Sequence, residues 1–365
     1  MTHSGLATDR ESRDPRVDLF RGIALIVIAV DHILANPVAR LTPVSWGYSD
    51  MAEVFLFLSG YVAGLSALKR RTLRQGLFSR FLIRSLQIYL AYVITTCLLL
   101  LLVRRSGSGS VVGRFGENLL SGSWTLVLRD ILLLQGIASH LAILILYMFL
   151  LSTFPVIIKL CRWRPRLILL LSIGLYVWAQ TKGFSLVQSF RQTAYYDPFA
   201  WQFIFYLGTV VALSDGRMKR LLEHRATLLA ACLVVGTLHV LHGLGIVPIE
   251  WRMKPSLGPL RVVHFVGLAI VAQGIVPRTL PKSSCSRFGP ARPWPIWSCI
   301  ACGRHSLLIY CTGAIASGVA SIWVEKSGRD SLSLVGANVF VIACLITIAV
   351  LAERFLPQQR QTHLR

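Results

Sequence analysis

Apolar residues fill most of the chain in blocks too long for strands, broken by short polar, basic or Gly/Pro-containing segments. A bilayer core takes a helix of roughly 17–25 residues. On that length the pattern predicts about ten spans, near 17–35, 52–68, 82–103, 139–158, 167–181, 199–213, 226–242, 261–277, 305–323 and 332–352. The stretch 124–135 is too short to cross and is expected to lie at the interface or to re-enter. No internal repeat or separate soluble domain is visible. The expected fold is an all-α polytopic transmembrane helical bundle over 17–352, between short tails at 1–16 and 353–365. The first 16 residues lack the apolar core and small-residue cleavage site of a signal peptide, so the first span is expected to stay in the mature chain.

Composition agrees with the pattern. Of 365 residues, 54% are hydrophobic and 15% charged, where a soluble domain carries about 25% charged residues. Mean hydropathy is +0.62.

Charge adds an orientation. Most of the 38 Lys and Arg residues fall in alternate connections: around Arg10–Arg16, 69–80, 159–166, 217–225, 278–304 and 354–365. Cytoplasmic loops are the ones enriched in Lys and Arg. Both termini are therefore expected inside, with an even number of spans and with loops 36–49 and 182–198 outside. The net charge of +22 is then accounted for by loops beside anionic lipid, and no nucleic acid is implied.

The eight cysteines add little. Cys299, Cys302 and His305 form C-x-x-C-x-x-H, with Cys285 upstream. Three close donors without a second pair fall short of a structural zinc site, and no metal is expected. No disulfide is expected in a cytoplasmic loop. His239 and His242 form H-x-x-H without an acidic partner on their helix, and are read as polar groups in a wet crevice. The sequence has no Walker loop, no G-x-G-x-x-G and no G-x-S-x-G.

Candidate chemistry begins in the first span, which keeps Asp18, Arg21, Asp31 and His32 among apolar residues. Asp18, Arg21, Leu25, Ile28 and His32 share one helical stripe. Asp18 and Arg21 can pair at i, i+3 near the inner edge. His32 lies roughly 21 Å further along the axis, near the outer end. For His32 two readings stand: a hydrogen-bonded histidine at a helix end, or a functional group. "WGYSDMAEVFLFLSGYVAGL" (46–65) puts Asp50 and Glu53 on one face at the outer end of the second span. Small residues at Ser59, Gly60 and Gly64 then allow close helix approach. A histidine and up to three carboxylates are thus expected to line one outward-facing cavity, enough for general base chemistry or for holding sugar hydroxyls.

These segments resemble the opening of the OpgC family of integral membrane acyltransferases: "RDPRVDLFRGIALIVIAVDHILANP", then "WGYSDMAEVFLFLSGYVAGL". Further stretches are similar in order. They are "SRFLIRSLQIYLAYV"; "YDPFAWQFIFYLGTVVAL", with Asp197 where Asn is usual; "KPSLGPLRVVHFVGLAIV", against K-x-x-L-x-P-L-R-x-x-H-F; and "CGRHSLLIYCTG", against C-G-x-H-S-L-x-x-F. One departure stands out. "HLAILILY" (140–147) replaces the family's N-L-D-x-L-P-L-Y, with Ala142 for Asp and Ile145 for Pro.

The resemblance implies a succinyltransferase-like O-acyltransferase of the bacterial inner membrane. Its co-substrate would be a cytoplasmic acyl-CoA such as succinyl-CoA, with no bound cofactor, and its acceptor a periplasmic glucan or other envelope carbohydrate. Arg21, Asp31, His32, Asp50, Glu53, Ser59, Arg80, Arg84, Lys254, Arg261, His264, His305 and Ser306 fall on family motifs. In that reading His32, with Asp31, Asp50 and Glu53, supplies the base, and Arg261 and His264 polarise the carbonyl. Arg21, Arg71, Arg74, Arg80 and Arg84 grip CoA phosphates; the last four serve equally as topology determinants. A transporter or flippase using the same intramembrane charges and a non-catalytic family member are the alternatives.

Overall fold

The computed structural model describes residues 14–73, 76–107, 122–134, 141–161, 163–181, 195–214, 224–276 and 294–356, with backbone alone at 70–73. Every regular element among them is helical. In chain order they are α1 (Pro15–Asp31), a 3-10 turn (Pro37–Leu41), α2 (Pro43–Trp46), α3 (Met51–Leu73), α4 (Leu77–Ser106), α5 (Trp124–Leu132) and α6 (Ala142–Leu160). Next come α7 (Pro165–Thr181), α8 (Pro198–Leu213), α9 (Arg225–Leu244), a 3-10 turn (Ile249–Trp251), α10 (Pro259–Ile275), α11 (Trp294–Arg304), α12 (Ser306–Lys326) and α13 (Ser331–Phe355).

Each of the ten apolar stretches coincides with a helix. Six of these are long and apolar enough to cross a membrane: Met51–Lys69 within α3, Leu77–Ser106, Ala142–Leu160, Arg225–Leu244, Ser306–Lys326 and Ser331–Phe355. Pro198–Leu213 and Pro259–Ile275 are shorter apolar helices. The last helix runs to Phe355, past the expected boundary at 352.

Capping chemistry sets several helix starts. Asp14 accepts from Arg16 N–H ahead of Pro15, Asp197 accepts from Phe199 N–H ahead of Pro198, and Asp330 accepts from Ser333 N–H. Each satisfies a backbone donor that the helix leaves open.

Two helix crossings are backbone-to-backbone. In α3 against α8, a Cβ on Gly60 would overlap the Phe205 carbonyl oxygen and one on Gly208 the Phe57 carbonyl oxygen. Thr209 Oγ1 donates to Gly60 O there (3.1 Å). In α1 against α11, Gly22 meets the Cys299 carbonyl and Gly303 the Asp18 carbonyl. Small residues are what permit such approach where apolar surface alone gives no drive for association.

The order of those last contacts shows that α11 runs against α1. Ala29 meets Gly313, and His32 O accepts from Ser321 Oγ, so α12 runs alongside α1 and the chain changes direction at His305. This corrects the expectation of a plain loop over 278–304: residues 294–304 form a packed helix. The short stretch 124–135 resolves too. Arg104 donates to Gly122 O and lies 4.2 Å from the Trp124 ring centroid, while Tyr89 Oη donates to Leu132 O. The helix α5 therefore turns back along α4.

Five helix ends meet at one end of the bundle: the C-terminus of α1 and the N-termini of α3, α6, α8 and α10. Thr42 Oγ1 donates to Asp31, Phe55 touches Tyr147 (5.8 Å), Asp197 N–H donates to Pro255 O, and Arg261 pairs with Glu53. This is called the site end below.

Candidate functional site

The start of α3 is a capping box. Asp50 Oδ1 accepts from Ala52 N–H (2.8 Å), and Glu53 Oε2 accepts from Asp50 N–H (3.0 Å). Acid at N-cap and Glu three residues on satisfy two open donors reciprocally. The remaining carboxylate oxygens face two cations, Lys254 in the segment leading into α10 and Arg261 in its first turn. Arg261 reaches Glu53 Oε1 through Nε (2.7 Å) and Nη2 (2.6 Å), and Asp50 Oδ2 through Nη2 (3.2 Å). Lys254 Nζ lies 2.6 Å from Asp50 Oδ2. Glu53 is 0% exposed, Asp50 7% and Arg261 6%, so two acids and two bases balance in a nearly closed site. Burial works against the Asp50 carboxylate. The Lys254 and Arg261 charges, with hydrogen bonds from Lys254 and Ala52 N–H, outweigh it and hold the carboxyl below its usual range. Burial likewise works against the Lys254 ammonium, and Tyr196, Asp50 and Glu53 hold it above the usual lysine value.

Lys254 is aimed by its backbone. Trp201 Nε1 donates to Lys254 O (2.9 Å) and Pro255 O (3.2 Å), Asp197 N–H to Pro255 O (2.9 Å), Gln180 Nε2 to Ser256 O (2.7 Å) and Tyr176 Oη to Leu257 O (2.9 Å). Four successive carbonyls are thus tied to α7 and α8. Leu257, fully buried, takes φ 50°, a conformation held only where surroundings enforce it. The Lys254 side chain, 30% exposed, is the most open member of the ion-pair network. Burial pushes the nearby Tyr196 phenol up to about 12, with Lys254 pulling the other way.

The departure at Asp197 costs nothing structurally. Its side-chain oxygen caps α8, a role that Asn and Asp share.

His264 sits under the loop before α3. Ser49 N–H donates to its Nδ1 (3.1 Å), and Ser49 Oγ is 2.7 Å from the same atom. His239 and His242 of α9 close the other side, with Trp46 and Tyr48 between them.

His32 caps the end of α1. Its Nδ1 is 2.5 Å from Ile28 O, so Nδ1 carries the proton and Nε2 the lone pair. The ring lines a cavity of about 10 Å³ with Leu25, Ile28, Tyr310, Gly313 and Ser317, room for about one water. The sequence stripe of Leu25, Ile28 and His32 is thus one face, turned to α12. Asp31, half-buried, accepts from Thr42 Oγ1 (2.8 Å) and lies within electrostatic reach of Asp50 and Lys254. Among the other motif positions, Ser59 Oγ donates to Phe55 O (2.7 Å) inside α3. Ala142, buried, opens α6 at the site end.

A second buried set of charges lies at the opposite end. Asp18 and Arg21 are buried. Arg304 places Nε 3.9 Å from Asp18 Oδ2 and Nη1 3.4 Å from Glu353 Oε1, and His305 Nε2 is 3.4 Å from the same Glu353 oxygen. Ser306, buried, opens α12. Arg304 counts in the sequence only as an inner-loop cation, and Glu353 goes unremarked, where an acid at the end of an apolar run is the available signal. Of the basic set, Arg80 is exposed and Arg84 bonds Gln87 Oε1 (3.1 Å). Arg74 and the Arg71 side chain lie outside the described residues.

Crossing-length helices around buried ion pairs define a polytopic helical membrane protein. The chain belongs to the OpgC protein family, whose model matches residues 13–356, nearly all of it. Family and fold together make it a membrane protein of the acyltransferase type. No curated protein and no solved structure matches it.

Proposed function

We propose that this chain is a bacterial inner-membrane O-acyltransferase that moves a succinyl or similar acyl group from cytoplasmic acyl-CoA to a periplasmic glucan or other envelope carbohydrate. The observation that carries the reading is the His32 tautomer. With Nδ1–H given to Ile28 O, Nε2 is a base beside a small cavity, and the neighbouring residue in sequence, Asp31, lies within electrostatic reach of Asp50 and Lys254. In the reaction His32 Nε2 takes the acceptor hydroxyl's proton as its oxygen attacks the thioester carbonyl. The C–O bond forms, the C–S bond breaks, and the departing thiolate takes the proton back from the imidazolium. Arg261 is held by two carboxylates, so Lys254 is the better-placed cation for the developing oxyanion.

The reading keeps ten spans with both termini cytoplasmic and loop 36–49 outside. Ser45→Cys should label with an impermeant thiol reagent in intact cells; labelling only after lysis inverts the arrangement. His32→Ala should lower transfer by about 10²–10⁴, the usual worth of general base catalysis, while the protein still accumulates in membranes. Near-normal transfer by that variant would make His32 structural. Unchanged envelope glucans with altered small-molecule uptake in a deletion strain would favour a carrier.

A further inference from the structure

We propose that Tyr48, His242 and His264 form a subsite for the hydroxyl groups of the acceptor sugar, an inference that rests on the acyl-transfer reading and names where its acceptor is held. Three buried polar atoms from three elements lack a hydrogen-bond partner among the described residues: Tyr48 Oη, His242 Nδ1 and His264 Nε2. Tyr48 is 4% exposed and His264 0%. Buried polar groups are nearly always satisfied, so three orphans around one aromatic ring point to a polar guest. They do converge. The Tyr48 ring stands edge-on to His242 (5.2 Å between centroids) and to His264 (6.2 Å). Trp46 stands edge-on to His264 and to His239, both at 6.4 Å.

The chemistry of the three atoms selects the guest. Ser49 N–H donates to His264 Nδ1, so Nδ1 is an acceptor and the proton of the neutral ring lies on Nε2. His264 therefore offers a fixed N–H donor. A Cβ on Gly47 would overlap this imidazole, so the backbone packs against the ring and restricts its movement. Tyr48 Oη can give or take a hydrogen bond, and so can the His242 ring in either tautomer. No member of this set carries a fixed charge; of the cations nearby, Arg261 and Lys254 are bound by Glu53 and Asp50, while the exposed Arg252 lies within electrostatic reach of Tyr48. A polyol ring suits the set, because its hydroxyls both donate and accept and its C–H face can lie on Trp46. The subsite also joins the proposed catalytic region directly, since Ser49 precedes Asp50, the carboxylate that holds Lys254.

The test uses the full chain in nanodiscs, with succinyl-CoA as donor and either a linear β-glucan oligosaccharide or glycerol as acceptor. Tyr48→Phe, which removes one oxygen, and His242→Leu should each raise the oligosaccharide KM about fivefold, the factor lost with one neutral hydrogen bond. The KM for succinyl-CoA should not follow. Glycerol, too small to span the three groups, should show a smaller rise than the oligosaccharide. An unchanged oligosaccharide KM in both variants overturns the subsite. A rise in the KM for succinyl-CoA instead assigns the pocket to the acyl chain and overturns it as well. If the parent protein transfers to no carbohydrate, the acyl-transfer reading fails on its own. Saturation-transfer NMR of the oligosaccharide, against the parent and Tyr48→Phe proteins, then decides the subsite: a signal weakened by the substitution supports it, and no signal overturns it.

Discussion

Arg261 brings its Nε and one terminal nitrogen to the same oxygen of Glu53, at 2.7 and 2.6 Å. The two residues lie on different helices, and neither has water to fall back on. Glu53 is wholly buried, so losing its partner leaves a bare charge in a low-dielectric site. Arg261→Met should cost about 3–5 kcal/mol, as breaking buried pairs does. Arg261→Lys should recover little, because the guanidinium also reaches Asp50, a fork that a single ammonium cannot copy. Thermal unfolding in detergent measures both; a parent-like melt for Arg261→Met would show the pair to be energetically idle.

Asp50 does two jobs that substitution can separate. Asp50→Asn keeps an oxygen for Ala52 N–H but loses the charge that faces Lys254. Asp50→Ala loses both and should be less stable by about a further 1 kcal/mol, the usual worth of a cap. Equal melts for the two variants would dismiss the cap.

The same pair sets a pH window. Asp50 titrates below its ordinary value in the folded protein. Its contribution is therefore full above the unfolded value of about 3.9 and is lost as the pH falls through the folded one. Lys254 titrates above its ordinary value. Its contribution is full below the unfolded value of about 10.4 and is lost as the pH rises through the folded one. Stability from this pair should thus be level between about pH 5 and 9. Asp50→Asn should flatten the acid limb; an acid limb of unchanged depth would assign acid sensitivity to other groups.

Trp201→Phe keeps an aromatic side chain, smaller than the indole, and deletes the donor shared by Lys254 O and Pro255 O. Trp201 is 0% exposed, and both carbonyls keep a backbone donor, Leu257 N–H and Asp197 N–H, so the lost indole hydrogen bond should cost about 0.5–1.5 kcal/mol, with a further cost for the space left behind. If the clamp aims Lys254, transfer should fall more than the lost stability explains. A variant less stable but with parent-like kcat would make the clamp a fold element only.

Asn36 and Asn338 exchange amide hydrogen bonds, each Nδ2 giving to the other's Oδ1 at 2.9 Å. Asn338→Leu alone leaves one Asn36 N–H without its partner, while Val30 O and Val38 N–H still hold the amide, and should destabilise by about 1–3 kcal/mol. Adding Asn36→Leu should cost less than the sum of the two single changes. Strict additivity in this double-mutant cycle would mean that the amides do not act as a pair.

What was readable in the sequence follows from the range of each interaction. Helices showed because apolar run length is local information, and Leu25, Ile28 and His32 fell on one face because 100° per residue is too. Asp50 and Glu53 were legible as a helix face, yet D-M-A-E was also a capping signature, and it was read only as a cavity lining. Their cations lie some 200 residues away, where spacing is silent. The helix α11 was missed because eleven residues with Pro295 and two tryptophans are too few for a span. Its support is tertiary, at Gly22 and Gly303. His264 shared a motif with Arg261, but its direction was set by Ser49, which no periodicity relates to it.

The hairpin of α11 on α1 also sets an order of events during synthesis. The face of α1 that carries Asp18 and Gly22 is covered by Cys299, Gly303 and Arg304, residues made roughly 280 positions later. At about 5–20 residues per second, the ribosome needs on the order of a quarter of a minute to a minute to deliver them. Through that interval the first helix must be held with its acid and its small-residue groove uncovered. A chain arrested before α11 should therefore present α1 to chaperones, insertion factors and proteases, and the completed C-terminal hairpin is the event that locks the first helix in place.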